Sequence, residues 1–188
     1  KRNLVMELID FIKVYDDVLT KEECHKCIKI FEEGVDKKVY DTDVLKFTQY
    51  WISESGYVSF FNIIKNKIRK CHFDYRSYIS KSLCYSEIFP SNYVFETFKI
   101  KKYVPELKQE FSKHIDSSTK RSCRRFLSSL IYLNDVEEGG QTVFNDVTIN
   151  PREGRLIIFP PLWMFPHAGK VPISNIKYIL TTYLKYNV

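Results

Sequence analysis

From residue 93 onward the sequence is a succession of short runs rich in aromatic and β-branched residues, most of them closed off by Gly, Pro or Asn. The runs are 93–101, 111–116, 126–133, 142–149, 155–159 and 177–184, and a chain written this way reads as strands. Strands this short, with helix-forming segments ahead of them, predict an α+β fold with a mainly β core: a sandwich or jelly roll braced by N-terminal helices. The chain's 188 residues fit a single domain, 1–188. With 44% apolar and 15% aromatic residues it has the material for a core, which excludes wholesale disorder and low-complexity classes.

Ahead of the strands the texture changes. Residues 8–18 read as a short strand. Thr20 followed by Glu23 forms a capping box, and Cys24, Cys27, Ile28 and Phe31 then recur at helical spacing up to Gly34. A second helix is predicted over 56–71, with Val58, Phe61, Ile64 and Ile68 on one face. Residues 73–95 show no clear period and read as a long loop of the kind that forms a lid. The division expected is therefore 1–92 as helical support with a lid loop, and 93–188 as the functional core.

Charge and cysteines bound the partners and the compartment. The net charge of +6 permits an anionic partner, so nucleic acid is allowed but not required. No apolar run approaches the roughly 20 residues a membrane span needs, so no membrane is expected. Five scattered cysteines do not read as a disulfide framework, and no charged-then-apolar leader follows Lys1; reduced thiols and a cytoplasmic location are the expectation. Cys24-His25-Lys26-Cys27 looks like half a zinc site but has no second half.

The chemistry begins with His114 and Asp116. Side chains in a strand alternate faces, so these two point the same way with Ile115 turned opposite. An imidazole beside a carboxylate makes two corners of a metal site, and His167, just beyond a strong strand, is the candidate third. Two His and one carboxylate on one face of an ion are the ligand set of non-haem Fe(II) oxygenases. Structural zinc wants four protein ligands, and magnesium or calcium wants mostly oxygen. The pair alone is a common coincidence and gains weight only from its context.

That context is Tyr132-Leu133-Asn134, then Gly139-Gly140-Gln141-Thr142, then Pro151-Arg152-Glu153-Gly154-Arg155-Leu156-Ile157-Ile158-Phe159-Pro160, then His167-Ala168-Gly169, then Lys177-Tyr178-Ile179-Leu180. In this order and spacing the motifs resemble the catalytic core of 2-oxoglutarate/Fe(II)-dependent dioxygenases of the prolyl 4-hydroxylase type, over residues 93–186. The resemblance implies a double-stranded β-helix (a cupin-like jelly roll). It implies Fe(II) on His114, Asp116 and His167, with 2-oxoglutarate and O2 as co-substrates and ascorbate as a reductant. It also implies Lys177 on the far carboxylate of 2-oxoglutarate, Tyr132 beside it, Tyr103 near the chelating end, and Arg125 and Tyr183 at the substrate.

The implied reaction is hydroxylation of prolyl residues in a peptide or protein, releasing succinate and CO2. Gly139 and Gly140 are expected as turn glycines, and Trp163 as core. Rival readings are a related dioxygenase acting on a free amino acid, another side chain or a nucleobase, and a cupin-like metal-binding or interaction module. Nothing in the sequence settles oligomeric state.

Overall fold

A computed structural model describes residues 6–52, 54–85, 87 and 89–187. A 3-10 turn, Leu8–Phe11, leads into β1 (Lys13–Tyr15) and α1 (Lys21–Glu33), then the hairpin β2 (Lys38–Asp41) and β3 (Lys46–Trp51), then α2 (Glu54–Ser82). The strands after it are β4 (Tyr93–Phe95), β5 (Lys99–Tyr103), β6 (Phe111–His114), β7 (Arg125–Tyr132), β8 (Thr142–Val143), β9 (Thr148–Ile149), β10 (Leu156–Phe159), β11 (His167–Gly169) and β12 (Lys177–Tyr186). One sheet runs β1-β10-β7-β12-β5-β3-β2, with β4 also paired to β12; the other runs β6-β11-β8-β9. All pairings are antiparallel, and this is the jelly-roll architecture expected from the strand pattern.

The large sheet has two covered faces. One carries the main core, where Cys24, Cys27, Ile30 and Phe31 of α1 and Phe61, Ile64, Ile68, Tyr75 and Ile79 of α2 pack on Ile100, Ile131, Ile158 and Leu180. The other faces the small sheet across a second cluster that includes Phe47, Tyr103, Tyr132, Phe144, Phe159 and Ile179. β12 lies between the two, which is why its first eight residues are all buried whatever their polarity.

α1 starts where the capping box puts it: the Glu23 amide donates to Thr20 Oγ1 and the Thr20 amide to Glu23 Oε2. Gly34 ends it, but not through a left-handed turn, since its φ is −64°. A side chain there would meet the Tyr50 ring at 2.7 Å, so the glycine makes room for the hairpin.

Several readings are corrected. Residues 73–82, expected in a lid loop, continue α2, because Phe61, Ile64, Ile68, His72, Tyr75 and Ile79 form one unbroken stripe at three- and four-residue spacing. The helical support also contains strand: β2 and β3 extend the large sheet through the β3–β5 pairing. Trp163, expected in the core, is 74% exposed. The strand expected over 8–18 shrinks to β1, 93–101 divides into β4 and β5, 142–149 divides into β8 and β9 around a turn, and the strand expected over 111–116 ends at His114, which leaves Asp116 in the bend beyond it.

His72 sits in the apolar stripe of α2, stacked on Phe95, with Nε2 2.7 Å from Ser129 Oγ of β7. Burial lowers its pKa to about 3, so the ring is neutral. The extension of α2 has a thermodynamic signature. Ile79→Ala is expected to destabilise the protein by about 2–5 kcal/mol, and Phe73→Ala, on the solvent face, by no more than about 0.5 kcal/mol in chemical denaturation. Equal effects of the two changes would return this segment to a loop.

Candidate active site

The antiparallel pairing of β6 with β11 sets His114 opposite His167. Each imidazole is oriented from behind: Nδ1 of His114 donates to the Ser112 carbonyl at 2.8 Å, and Nδ1 of His167 to the Phe165 carbonyl at 3.1 Å. A carbonyl only accepts, so Nδ1 carries a proton in both rings and Nε2 is the nitrogen turned forward. They face one carboxylate. Nε2 of His114 is 3.7 Å from Asp116 Oδ1, and Nε2 of His167 is 3.7 Å from Asp116 Oδ2. The donor atoms of the three lie within 4.8 Å of one another, the one such group of three or more among the described residues.

Asp116 is fixed by two hydroxyls. Ser128 Oγ donates to Oδ2 at 2.8 Å and the Tyr183 hydroxyl to Oδ1 at 2.9 Å. Burial alone would raise the pKa of Asp116, but the facing imidazoles outweigh it and hold the carboxyl well below its usual range. Burial lowers His167, which favours the neutral, ligating ring. Burial and the facing Asp116 push the Tyr183 phenol well above its usual range, so it stays a donor. Two imidazole nitrogens and a carboxylate on one side of a point match the donor set that Fe(II) takes with open positions left over.

Lys177, at the start of β12, is 1% exposed. Its Nζ donates to the Gly140 carbonyl at 2.9 Å and lies 4.4 Å from the Tyr103 ring centre. Gly140 reaches that position with φ +71° and Gly139 with φ +75°; a side chain on Gly139 would strike the Val171 carbonyl at 2.3 Å. Lys177 and Tyr103 line the same pocket as the triad, with Lys101, Ser128, Leu130, Thr142, Phe159, Ile179 and Tyr183. A buried ammonium in a mostly apolar pocket suits a carboxylate ligand. The free volume among these groups is about 30 Å³. Burial and the neighbouring Lys101 lower the pKa of Lys177 to about 7.

The remaining sequence-predicted residues fall differently. Tyr132 lies behind the pocket wall, its hydroxyl 2.6 Å from Thr142 Oγ1 and 3.2 Å from the Ile149 carbonyl, and Thr142 is what lines the pocket. Arg125 grips Glu96 with Nε and Nη2 (2.7 and 2.6 Å) and the Asp116 carbonyl with Nη1 (2.8 Å), while its guanidinium covers the Tyr183 ring at 3.9 Å. Arg125 and Tyr183 thus both bear on Asp116 as well as on the cleft outside it.

Sequence reasoning missed Ser128, Glu96 and Lys101. Alternation in β5 puts Lys99, Lys101 and Tyr103 on one face and was the available signal for Lys101. The Cys24-His25-Lys26-Cys27 segment builds no site: both thiols are buried, burial pushing Cys24 up to about 12, and His25 turns outward to Glu153.

The family model of the 2OG-Fe(II) oxygenase superfamily matches residues 98–185. No curated protein sequence matches the chain. Among solved structures, the chain is similar to a viral collagen prolyl hydroxylase from Paramecium Bursaria Chlorella virus-1 in its 2OG complex, with 22% identity, a TM-score of 0.69, and coverage of 94% of this chain and 97% of that one. A prolyl-4-hydroxylase of Pseudomonas putida gives 16% identity, a TM-score of 0.67, and 95% and 94% coverage. A Trichoplax adhaerens prolyl hydroxylase, in complex with a peptide fragment of the hypoxia inducible factor oxygen degradation domain, gives 17%, 0.70, and 94% and 84%. These likenesses agree with the double-stranded β-helix read from the topology.

Two measurements check the site. Tyr183→Phe, which deletes one of the two hydroxyls on Asp116, is expected to weaken Fe(II) binding by about 10–100-fold in a chelator competition, and unchanged affinity would contradict the role. Binding a carboxylate needs the protonated ammonium of Lys177. Affinity for 2-oxoglutarate should therefore be full below a pH of about 7 and fall as pH rises through it. Calorimetric titration showing a flat affinity across that range would remove Lys177 from the binding site.

Proposed function

We propose that this chain, a member of the 2OG-Fe(II) oxygenase superfamily through residues 98–185, hydroxylates prolyl residues of a peptide or protein. The observation that carries the oxygenase chemistry is the buried Lys177 in the same pocket as the His114, Asp116 and His167 cluster. A metal triad alone suits many activities; a triad sharing a dry pocket with an ammonium group suits one that takes an anionic co-substrate. Support for the prolyl substrate is coarser and comes from the likeness to prolyl hydroxylases of three different sources.

Held by His114, Asp116 and His167, Fe(II) would supply, with 2-oxoglutarate and O2, the oxidation whose products are succinate, CO2 and a hydroxyl on the substrate carbon. The protein's own contribution is positional. His114 and His167 present Nε2 because their Nδ1 protons are committed to backbone carbonyls. Ser128 and Tyr183 hold both oxygens of Asp116, and Arg125 ties the Asp116 carbonyl to Glu96, so the ligand loop has little freedom to swing. Lys177 receives the far carboxylate, with the Tyr103 ring against its ammonium and Thr142 beside it. Leu130, Phe159 and Ile179 line the same space and keep it dry, which strengthens the charge–charge contacts within it.

The direct test is incubation of proline-containing peptides with the protein, Fe(II), 2-oxoglutarate and air, read by mass spectrometry. The expected product is a peptide heavier by one oxygen on proline, formed in step with succinate, and lost in His167→Ala. Oxidation of a nucleobase or a free amino acid in place of the peptide would overturn the prolyl assignment. Full turnover by His167→Ala would overturn the triad.

A further inference from the structure

Outside the triad the pocket opens into a cleft of about 640 Å³. Its lining includes Tyr40, Phe47 and Trp51 of the β2–β3 hairpin, Arg121 and Arg124 of the segment before β7, and Arg125 at the start of β7. Two acids line this cleft among the described residues, and both are already engaged. Glu96 pairs with Arg125 and Lys99 at 2.6 Å, and Asp116 belongs to the triad. Four cations on its walls, Lys101, Arg121, Arg124 and Lys185, have no ion-pair partner among the described residues.

Lys101 is the unusual one. It is 7% exposed, lies between the Phe47 and Phe111 rings (4.9 and 4.8 Å from their centres), and lines both the inner pocket and the outer cleft. Ring faces recover only part of the hydration an ammonium group loses on burial, so a cation placed there is set up for an anion. It sits where the cleft meets the triad, at the depth a reacting side chain must reach.

We propose that the substrate is an acidic peptide, in which an Asp or Glu close to the hydroxylated residue delivers its carboxylate to Lys101 while further acidic residues meet Arg121 and Arg124 at the rim. This rests on the prolyl-hydroxylase reading and names its substrate class. A nucleic-acid strand also presents anions, but as a regular backbone series that is tracked by a continuous basic groove. Here one cation is buried at the inner end and the exposed ones are grouped at the rim, an arrangement of discrete charges that fits separated carboxylates.

The test is fluorescence anisotropy with the protein carrying Mn(II) and 2-oxoglutarate. The probes are short labelled proline peptides differing only in flanking Glu, Gln or Lys, and a labelled single-stranded oligonucleotide. The Glu peptide is expected to bind about tenfold tighter than the Gln peptide, an advantage that shrinks with added salt. Lys101→Met should erase most of that advantage. The exposed double change Arg121→Glu/Arg124→Glu, which does not touch the core, should turn the preference toward the Lys peptide.

Equal binding of the three peptides, or tighter binding of the oligonucleotide, overturns the proposal. So does a Lys101→Met protein that loses affinity for 2-oxoglutarate and not for the Glu peptide. Mass spectrometry of the same peptides with Fe(II) separates the two levels. Hydroxylation of Glu and Gln peptides with equal KM keeps the prolyl reading and overturns only the acidic preference; hydroxylation of none overturns the prolyl reading itself.

Discussion

Asp116 is a carboxylate held away from water, and two ammonium groups, on Lys177 and Lys101, are buried in the same pocket. Burying charge is expensive unless each ion finds partners, and most of the local architecture supplies them. Asp116 has the hydroxyls of Ser128 and Tyr183 and two imidazoles in front. Lys177 has the Gly140 carbonyl, aimed by a glycine pair in the left-handed region. Lys101 has only ring faces. Arg125 adds an outer layer by tying the Asp116 backbone to Glu96, whose pKa falls to about 2 because Arg125 and Lys99 offset the effect of burial. The site is therefore a charge arrangement that ligands would complete: a cation between the imidazoles and the carboxylate, and anions opposite the lysines.

The same strands connect this arrangement to the helical brace. Ser128 and Ser129 are neighbours on β7 and point to opposite faces of the large sheet. Ser128 donates to Asp116, while Ser129 contacts His72 of α2. The brace and the ligand loop thus hold one strand from its two sides. β12 does similar work along its length, with Lys177, Ile179, Thr181 and Tyr183 toward the pocket and Tyr178, Leu180 and Leu184 in the main core.

What could be read from the sequence was what depends on local periodicity and on chemistry carried by single residues. Strand alternation groups His114 with Asp116, although β6 ends at His114 and Asp116 lies in the bend beyond it, held there by Ser128, Tyr183 and Arg125. His167 and Lys177 stand out as polar groups beside strongly apolar strands. The strand-rich core followed from runs separated by Gly, Pro and Asn, while the order of the strands in the two sheets did not. The continuation of α2 was hidden because Tyr75 and Ile79 are diluted by charged and polar neighbours, and the stripe emerges only when it is followed from Phe61 across His72. The β2–β3 hairpin was missed because β2 is an exposed edge strand and β3 mixes Lys46, Thr48 and Gln49 with its aromatic residues, so the segment reads as polar surface. Lys101 and Glu96 acquire meaning only through pairings distant in sequence, β5 with β12 and Glu96 with Arg125. Tyr132 shows the converse: its place in the chain pointed to the cosubstrate, while its hydroxyl is turned to Thr142 and Ile149.

The central claim is that His114, Asp116 and His167 hold Fe(II) in a pocket where Lys177 anchors 2-oxoglutarate. Anaerobic addition of Fe(II) and 2-oxoglutarate tests it most directly, because chelation of the metal by a 2-oxo acid gives a weak visible charge-transfer band that neither component gives alone. The account expects that band in the native protein, its loss in His167→Ala, and a higher 2-oxoglutarate concentration to reach it in Lys177→Met. A native protein that binds Fe(II) and shows no band at saturating 2-oxoglutarate, or a Lys177→Met protein that titrates like the native one, would contradict it.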